Sequence, residues 1–306
     1  MNRTLPLWRS ILYVPANVSR FVEAACRSGA DAIQLDLEDS VAPSEKAAAR
    51  EGLRDAVARV GSLGADVLVR INRPLSLAVR DIEAAVAARV HALTLTKVES
   101  ASHVQLLDEL VGECEARQGL ESGHTRLILL VESARALQQV HEIAAASQRV
   151  VGVALGTEDF ANDMGMAAVD EALLYPKQML AIAARAAGVL PIGFIGSVAA
   201  LDDDAAFRSM LRRSRRFGFE CATCIHPSQV AAVNEEYGVR DEELAAAQRL
   251  VAESECQTLR GVGAFRFEGR MVDAPLVSQA RKRIAKAAAF SKSGALGGSG
   301  VPEAQA

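Results

Sequence analysis

Residues 126–156 read RLILLVESARALQQVHEIAAASQRVVGVALG. The two ends, 126–133 and 150–156, are short runs of Leu, Ile and Val, continuous rather than alternating, as in strands buried on both faces. The middle, 134–146, is Ala-rich with apolar residues at helical spacing, so the stretch spells strand, helix, strand. The same pattern extends in both directions. Strand-like runs occur at 9–15 (RSILYVP), 32–39 (AIQLDLED), 67–72 (VLVRIN), 92–99 (ALTLTKVE), 190–196 (LPIGFIG) and 221–227 (CATCIHP). Helical periodicity separates them at 19–29, 44–60, 77–88, 102–116, 175–187 and 202–217. Eight strands alternating with helices predict parallel strands, right-handed crossovers and closure into an α/β fold of the (β/α)8 TIM-barrel type.

The chain's 306 residues accommodate such a barrel over 1–230 with an appendage. Residues 228–260 are helical in pattern. Residues 264–272 (AFRFEGRMV) read as a hairpin turning at Glu268-Gly269, and Asp273-Ala274-Pro275 opens a helix expected to end near Phe290. We therefore expect a helical and hairpin lid extension over 231–290, and a disordered Gly/Ser/Ala-rich tail over 291–306.

Composition excludes several classes of function. Hydrophobic residues make up 50% and aromatics only 4%, so the core is aliphatic. A net charge of −4 and a pI of about 5.8 give no global positive field, which argues against nucleic acid as a partner. No apolar run is long enough to span a membrane, and residues 1–10 lack a signal-peptide core, so a cytoplasmic location is expected. Of five cysteines, Cys221 and Cys224 form the only CxxC, without the second pair a structural zinc requires. They read as small residues of a strand. No Walker loop, GxGxxG or HExxH is present.

Polar residues gather at the C-terminal ends of the strands, the rim where barrel enzymes build their sites, which favours an enzyme over a scaffold. Glu132 ends the fifth strand and Asp159 follows the sixth. Carboxylates at equal height on adjacent strands can share a hard divalent ion, and Mg²⁺ with two such ligands keeps positions for water and a chelating 2-keto acid. Helix capping or pairing with arginine is the alternative for both, and Glu158 competes with Asp159 as ligand. Glu38 and Asp39, ending the second strand, could reach the ion through water or hold neighbouring side chains, while Asp39 could equally open a helix. Arg70 interrupts an apolar strand and calls for an anion, either a substrate carboxylate or developing enolate, or a protein carboxylate such as Glu38 or Glu132.

Lys97, ending the fourth strand, could form a Schiff base with a carbonyl substrate, but the acidic rim around it should raise its pKa and keep it charged. His226, closing the eighth strand, could orient substrate or be a hydrogen-bonded structural histidine. Residues 212–216 (RRSRR) end a helix, where cations complement its macrodipole.

In order along residues 9–285, RSILYVPAN, SGADAIQLDLEDSVAPSEKAAAR, VRINRP, KVES, LLVESARAL, ALGTEDFANDMG, CIHPSQV and GRMVDAPLVSQAR resemble the family of the citrate lyase beta subunit and malyl-CoA lyase. The resemblance implies a barrel, usually trimeric or hexameric, that uses Mg²⁺ (Mn²⁺ as a substitute) to make or break a C–C bond between an acyl-thioester enolate and a 2-keto acid or aldehyde. By motif, Glu132 and Asp159 would be the metal ligands and Arg70 would bind substrate carboxylate or oxyanion. Glu38 and Asp39 would stand behind metal or substrate; Lys97 and His226, from their strand-end positions alone, are candidate substrate contacts. Asp273, an N-cap by sequence, would be an acid/base residue on a lid serving a neighbouring subunit.

The chain departs from the family pattern at Ala16, Thr96, Gly193 and Cys221-Ala222, positions that bear on the grip on CoA rather than on the metal pair. The expected activity is a Mg²⁺-dependent lyase acting on a malyl-CoA, citramalyl-CoA or citryl thioester, with an acyl-carrier partner as an option. A metal-dependent aldolase on a free 2-keto acid and a non-catalytic subunit of a lyase complex are the alternatives.

Overall fold

The computed structural model describes residues 4–196 and 203–297. The first compact unit runs through Tyr237 and contains eight parallel strands: β1 (Ser10–Pro15), β2 (Ala32–Asp36), β3 (Asp66–Arg70), β4 (Ala92–Leu95), β5 (Arg126–Val131), β6 (Val150–Leu155), β7 (Leu190–Ile192) and β8 (Ala222–Cys224). They lie in the order β7-β6-β5-β4-β3-β2-β1-β8. A bridge between Ile192 and Cys221, with Gly193 N donating to Cys221 O at 2.8 Å, brings the ends of the order together. This is the expected (β/α)8 barrel, with each strand falling on an apolar run identified above.

Helices α1 (Ser19–Ala25), α2 (Lys46–Glu51), α3 (Leu53–Gly61), α4 (Leu75–Ala87), α5 (Ala101–Gln118), α6 (Ala134–Gln138), α7 (Val140–Ala144), α8 (Thr157–Met164), α9 (Asp170–Ala187), α10 (Asp204–Arg216) and α11 (Ser228–Tyr237) complete the unit. Two stretches expected as single helices are interrupted, at Gly52 and at Gln139. Helix α8 is an addition to the expected elements, because its sequence GTEDFAND reads first as the end of a strand. The expected domain boundary at residue 230 falls inside α11. That helix belongs with the barrel: Val230, Val233 and Tyr237 are fully buried, and Tyr237 OH donates to Gly193 O at 2.9 Å.

Strand alternation sorts side chains into two apolar layers. Leu12, Ile33, Leu35, Val67, Val69, Leu93, Leu127 and Leu129 pack outward with the helices, whereas Ile11, Ala32, Leu68, Ala92, Ile128, Leu130 and Ile192 form a separate inner cluster with Trp8. The period of two then places Tyr13, Gln34, Asp36, Arg70, Thr94 and Glu132 with the inward row, toward the strands' C-terminal ends.

The second unit contains α12 (Asp241–Leu259), the antiparallel hairpin of β9 (Phe265–Phe267) and β10 (Arg270–Val272), and α13 (Ala274–Gly297). Glu268 and Gly269 both have positive φ (42° and 80°), the twist-compatible geometry of a two-residue hairpin turn, as expected there. Phe265, Val272 and Val277 bury against Leu250, Val251 and Phe267. Helix α13 continues to Gly297 rather than stopping near Phe290. The remainder of the expected tail lies outside the described residues. Among the described residues no helix is long and apolar enough to cross a membrane.

Candidate active site

A cavity of about 280 Å³ is lined by Tyr13, Asp39, Arg70, Glu132, Glu158, Asp159 and Lys177, together with the apolar side chains of Leu155, Leu180, Ile192 and Phe194. Glu132 follows β5 and is buried, with Lys97 N donating to its Oε2. Lys97 holds φ at 49°, an uncommon conformation for a side-chain-bearing residue and one found preferentially at functional sites. A Cβ at position 156 would overlap Glu132 Cγ and stand 2.5 Å from Oε1, so only glycine there lets this carboxylate lie beside the end of β6. Burial pushes the Glu132 carboxyl up to about 7; Lys97 opposes the shift, and the charges of Glu38 and Asp159 add to it.

Asp159 and Glu158 both sit in the first turn of α8, where the helix dipole favours negative charge. Asp159 is half-buried and Glu158 exposed, so Asp159 is the better-placed ligand beside Glu132. Among the described residues no three His, Cys, Asp or Glu side chains gather as a closed metal cage. Two hard carboxylate oxygens on one cavity wall, with room for water and substrate oxygens, suit Mg²⁺ rather than a structural zinc.

Arg70 is held more firmly than its sequence context revealed. Its Nε and Nη2 donate to Asp36 Oδ1 and Oδ2, both at 2.7 Å, and its Nη1 lies 2.9 Å from Glu38 Oε2 and 3.6 Å from Asp39. The Glu38 contact is an ion pair without hydrogen-bond geometry, leaving that buried oxygen without a hydrogen-bond donor. The guanidinium also lies 5.1 Å from the centre of the Tyr13 ring. Burial works against ionisation of Asp36, but the Arg70 hydrogen bonds and charge prevail and hold its carboxyl below the ordinary range. Arg70 is correspondingly raised: the Asp36 pairing outweighs its burial. A guanidinium has five N–H donors, so some on the terminal nitrogens remain for a ligand.

Glu38 is buried, and Lys97 Nζ donates to its Oε1 at 2.6 Å. Burial lowers the Lys97 amine, but the Glu38 hydrogen bond and charge outweigh it and raise the pKa, as the acidic rim implied. A charged lysine is a poor nucleophile, which disfavours the Schiff base. The loop carrying Glu38 and Asp39 is fixed from behind. Asn72 Nδ2 donates to Leu37 O at 2.8 Å, and Lys46 Nζ donates to Leu37 O and Glu38 O at 3.0 and 2.7 Å.

His226 is exposed, with Nδ1 2.7 Å from Ser228 Oγ at the start of α11. The cavity is lined from β8 by Thr223 and Ile225 instead. The structure thus gives His226 the hydrogen-bonded position that was its alternative. Arg212 and Arg213 pair with Glu236 and Asp170, both at 2.7 Å. Asp273 belongs to the second unit, where it is exposed just before α13.

Sequence reading missed Asp36, Tyr13 and Lys177. The alternation of Ile33 and Leu35 outward marks Gln34 and Asp36 as inward, which was a usable signal for Asp36. Lys177 lies on a helix and carried none.

The family described as HpcH/HpaI aldolase/citrate lyase matches residues 9–227. The citrate lyase subunit beta of Leuconostoc mesenteroides subsp. cremoris is 33% identical over 279 residues, covering 90% of this chain and 92% of its own. The L-malyl-CoA/beta-methylmalyl-CoA lyase of Rhodobacter capsulatus is 32% identical over 302 residues, with 91% and 94% covered. The crystal structure of the protein CitE from Mycobacterium tuberculosis in complex with magnesium, acetoacetate and coenzyme A superposes with a TM-score of 0.70 at 31% identity, covering 94% of this chain and all of that one. With both the fold and the sequence matching over most of its length, the chain belongs to the HpcH/HpaI aldolase/citrate lyase family.

Proposed function

We propose that the protein is a Mg²⁺-dependent carbon–carbon lyase that cleaves, or forms by Claisen-type condensation, a malyl-CoA, citramalyl-CoA or citryl thioester. The products of cleavage are a 2-keto acid or glyoxylate and an acyl thioester. The observation that carries this reading is the pairing of Glu132 and Asp159 on one cavity wall with a guanidinium, Arg70, in the same cavity. Relatives named as lyases of citrate and malyl-CoA, and one solved with magnesium and coenzyme A, support it.

In this reading Glu132 and Asp159 hold the ion, and Glu132 is oriented for it by the Lys97 N–H. A bound Mg²⁺ would supply Lewis acidity to the oxygen that is an alkoxide before the C–C bond breaks and the keto oxygen after it; in cleavage the charge passes from that oxygen to the thioester enolate. Arg70, locked by Asp36, offers its remaining donors to the keto-acid carboxylate or to the enolate oxyanion, without reorganising during the reaction. Lys97 keeps Glu38 and Arg70 in place rather than attacking the substrate. Asp273, by its motif, exchanges the proton at the enolate carbon, and it does so for a neighbouring subunit of a homo-oligomer. We place the protein in the cytoplasm.

The test is turnover of these thioesters with Mg²⁺, after chelation, and after re-addition of the ion. The second reading, an aldolase on a free 2-keto acid, keeps the same residues and is favoured by the loss of the family's usual residues at Gly193 and at Cys221-Ala222. Cleavage of unesterified citramalate as fast as its thioester would select it.

A further inference from the structure

Lys177, on α9, is 4% exposed and lines the same cavity as Arg70, Glu132 and Asp159. Its Nζ donates to the main-chain carbonyls of Phe194 at 2.6 Å and Gly196 at 2.7 Å, both just beyond β7. An ammonium has three donors, and these neutral acceptors take two. Among the described residues no carboxylate pairs with it: the nearby Asp170 is engaged by Arg213 at 2.7 Å. Burial pushes the amine down to about 8 against the pull of Asp170 and Glu158, as expected for a cation with no counter-ion in contact.

Arg70 differs in that protein carboxylates already surround it, Asp36 and Glu38 closely and Asp39 at 3.6 Å. In the strand order, β3 with Arg70 and β7, whose following carbonyls hold Lys177, are four places apart, on opposite sides of an eight-stranded ring. Glu132 and Asp159 follow the strands between them. The cavity therefore has a cation on each of two opposing walls, and among the described residues the one near β7 has no carboxylate in contact. Leu180, Ile192 and Phe194 surround that side and would strengthen any charge pair formed there.

We propose that Lys177 is a specificity-determining residue, its ammonium receiving a second carboxylate on the keto-acid half of the substrate, distal to the carboxylate that meets Arg70. The enzyme then favours dicarboxylic over monocarboxylic keto acids. This rests on the lyase reading above, and it names which member of that substrate class the site selects.

The experiment is calorimetric titration of the Mg²⁺-loaded full chain with oxaloacetate and with pyruvate, which differ by the second carboxylate. Wild-type protein is expected to bind oxaloacetate about tenfold or more tighter than pyruvate, the range of a charge-assisted hydrogen bond. Lys177→Met should bring oxaloacetate down to the pyruvate level and leave pyruvate unchanged. Equal wild-type affinities would overturn the proposal without any variant, as would a Lys177→Met effect equal for both acids, the mark of a merely structural lysine. A borohydride-trapped pyruvate adduct on Lys177 would also overturn it, by making the amine a nucleophile. If the wild-type protein binds neither acid with Mg²⁺, the lyase reading itself fails, because pyruvate needs only Arg70 and the metal pair.

Discussion

Asp36 and Arg70 are register partners across the β2–β3 ladder, and their side chains meet in a two-point hydrogen-bonded pair at 2.7 Å on each arm. Neighbouring inward positions on adjacent strands make the fork geometry a direct product of sheet register. The pair converts a flexible arginine into a fixed donor at the wall of the cavity.

Removing one partner leaves the other charged and buried. Asp36→Asn and Arg70→Met should each lower unfolding stability by roughly 3–5 kcal/mol, and the double variant should lose less than the sum of the two. Urea unfolding of the three variants checks this. Arg70→Lys keeps the charge but not the fork, and should reduce kcat/KM by on the order of 10²-fold or more.

The metal-free protein should carry a stability penalty from Glu132. Its folded pKa, about 7, is raised above the ordinary carboxylate value, so the folded state binds more protons than the unfolded state between about 4.5 and 7. Stability therefore falls as pH rises through that window, with a slope approaching roughly 1.4 kcal/mol for each pH step of one. In excess chelator, Glu132→Gln should be more stable than wild type at pH 8 and no more stable at pH 4. Adding Mg²⁺ should restore wild type at pH 8 and leave the Gln variant unchanged.

The fold was legible because each barrel strand is a continuous apolar run and each link between strands is helical in pattern, so counting residues 9–227 was enough. The placement of Glu132 and Asp159 at one rim was legible for a related reason: they follow adjacent strands, β5 and β6, that the apolar pattern had already set side by side. Asp36 lay inside a run read as AIQLDLED, where the terminal Glu38 and Asp39 drew the functional reading, although the alternation of Ile33 and Leu35 assigns Asp36 inward. Lys177 was not legible. Its role depends on carbonyls of the β7 loop some twenty residues away, and no local pattern encodes that contact. His226 stands at the expected strand end, with its ring turned to Ser228.

Gly156→Ala adds a methyl where Glu132 lies, at a backbone conformation alanine adopts without strain (φ −73°). The carboxylate must move. Mg²⁺ affinity should drop by about tenfold or more while the melting temperature changes little, which calorimetry and thermal unfolding together check.

Asp273→Asn should depress kcat strongly and leave folding and Mg²⁺ affinity nearly intact, since asparagine caps a helix as well as aspartate does. If the residue serves a neighbouring subunit, mixing inactive Asp273→Asn with inactive Glu132→Ala subunits should regenerate activity. Wild-type turnover by Asp273→Asn would reject the proton-transfer role, and a strong defect without complementation would reject only the sharing.

The most direct measurement is thioester cleavage by this 306-residue chain with Mg²⁺, in excess EDTA, and after Mg²⁺ is restored, followed alongside borohydride treatment of the reacting mixture. Release of a 2-keto acid or glyoxylate is expected only when the ion is present, with recovery on re-addition and no trapped adduct. Glu132→Ala and Asp159→Ala should each lose on the order of 10³-fold in rate. Full turnover in EDTA, with a substrate adduct trapped on Lys97, would contradict the metal mechanism and put a Schiff base in its place.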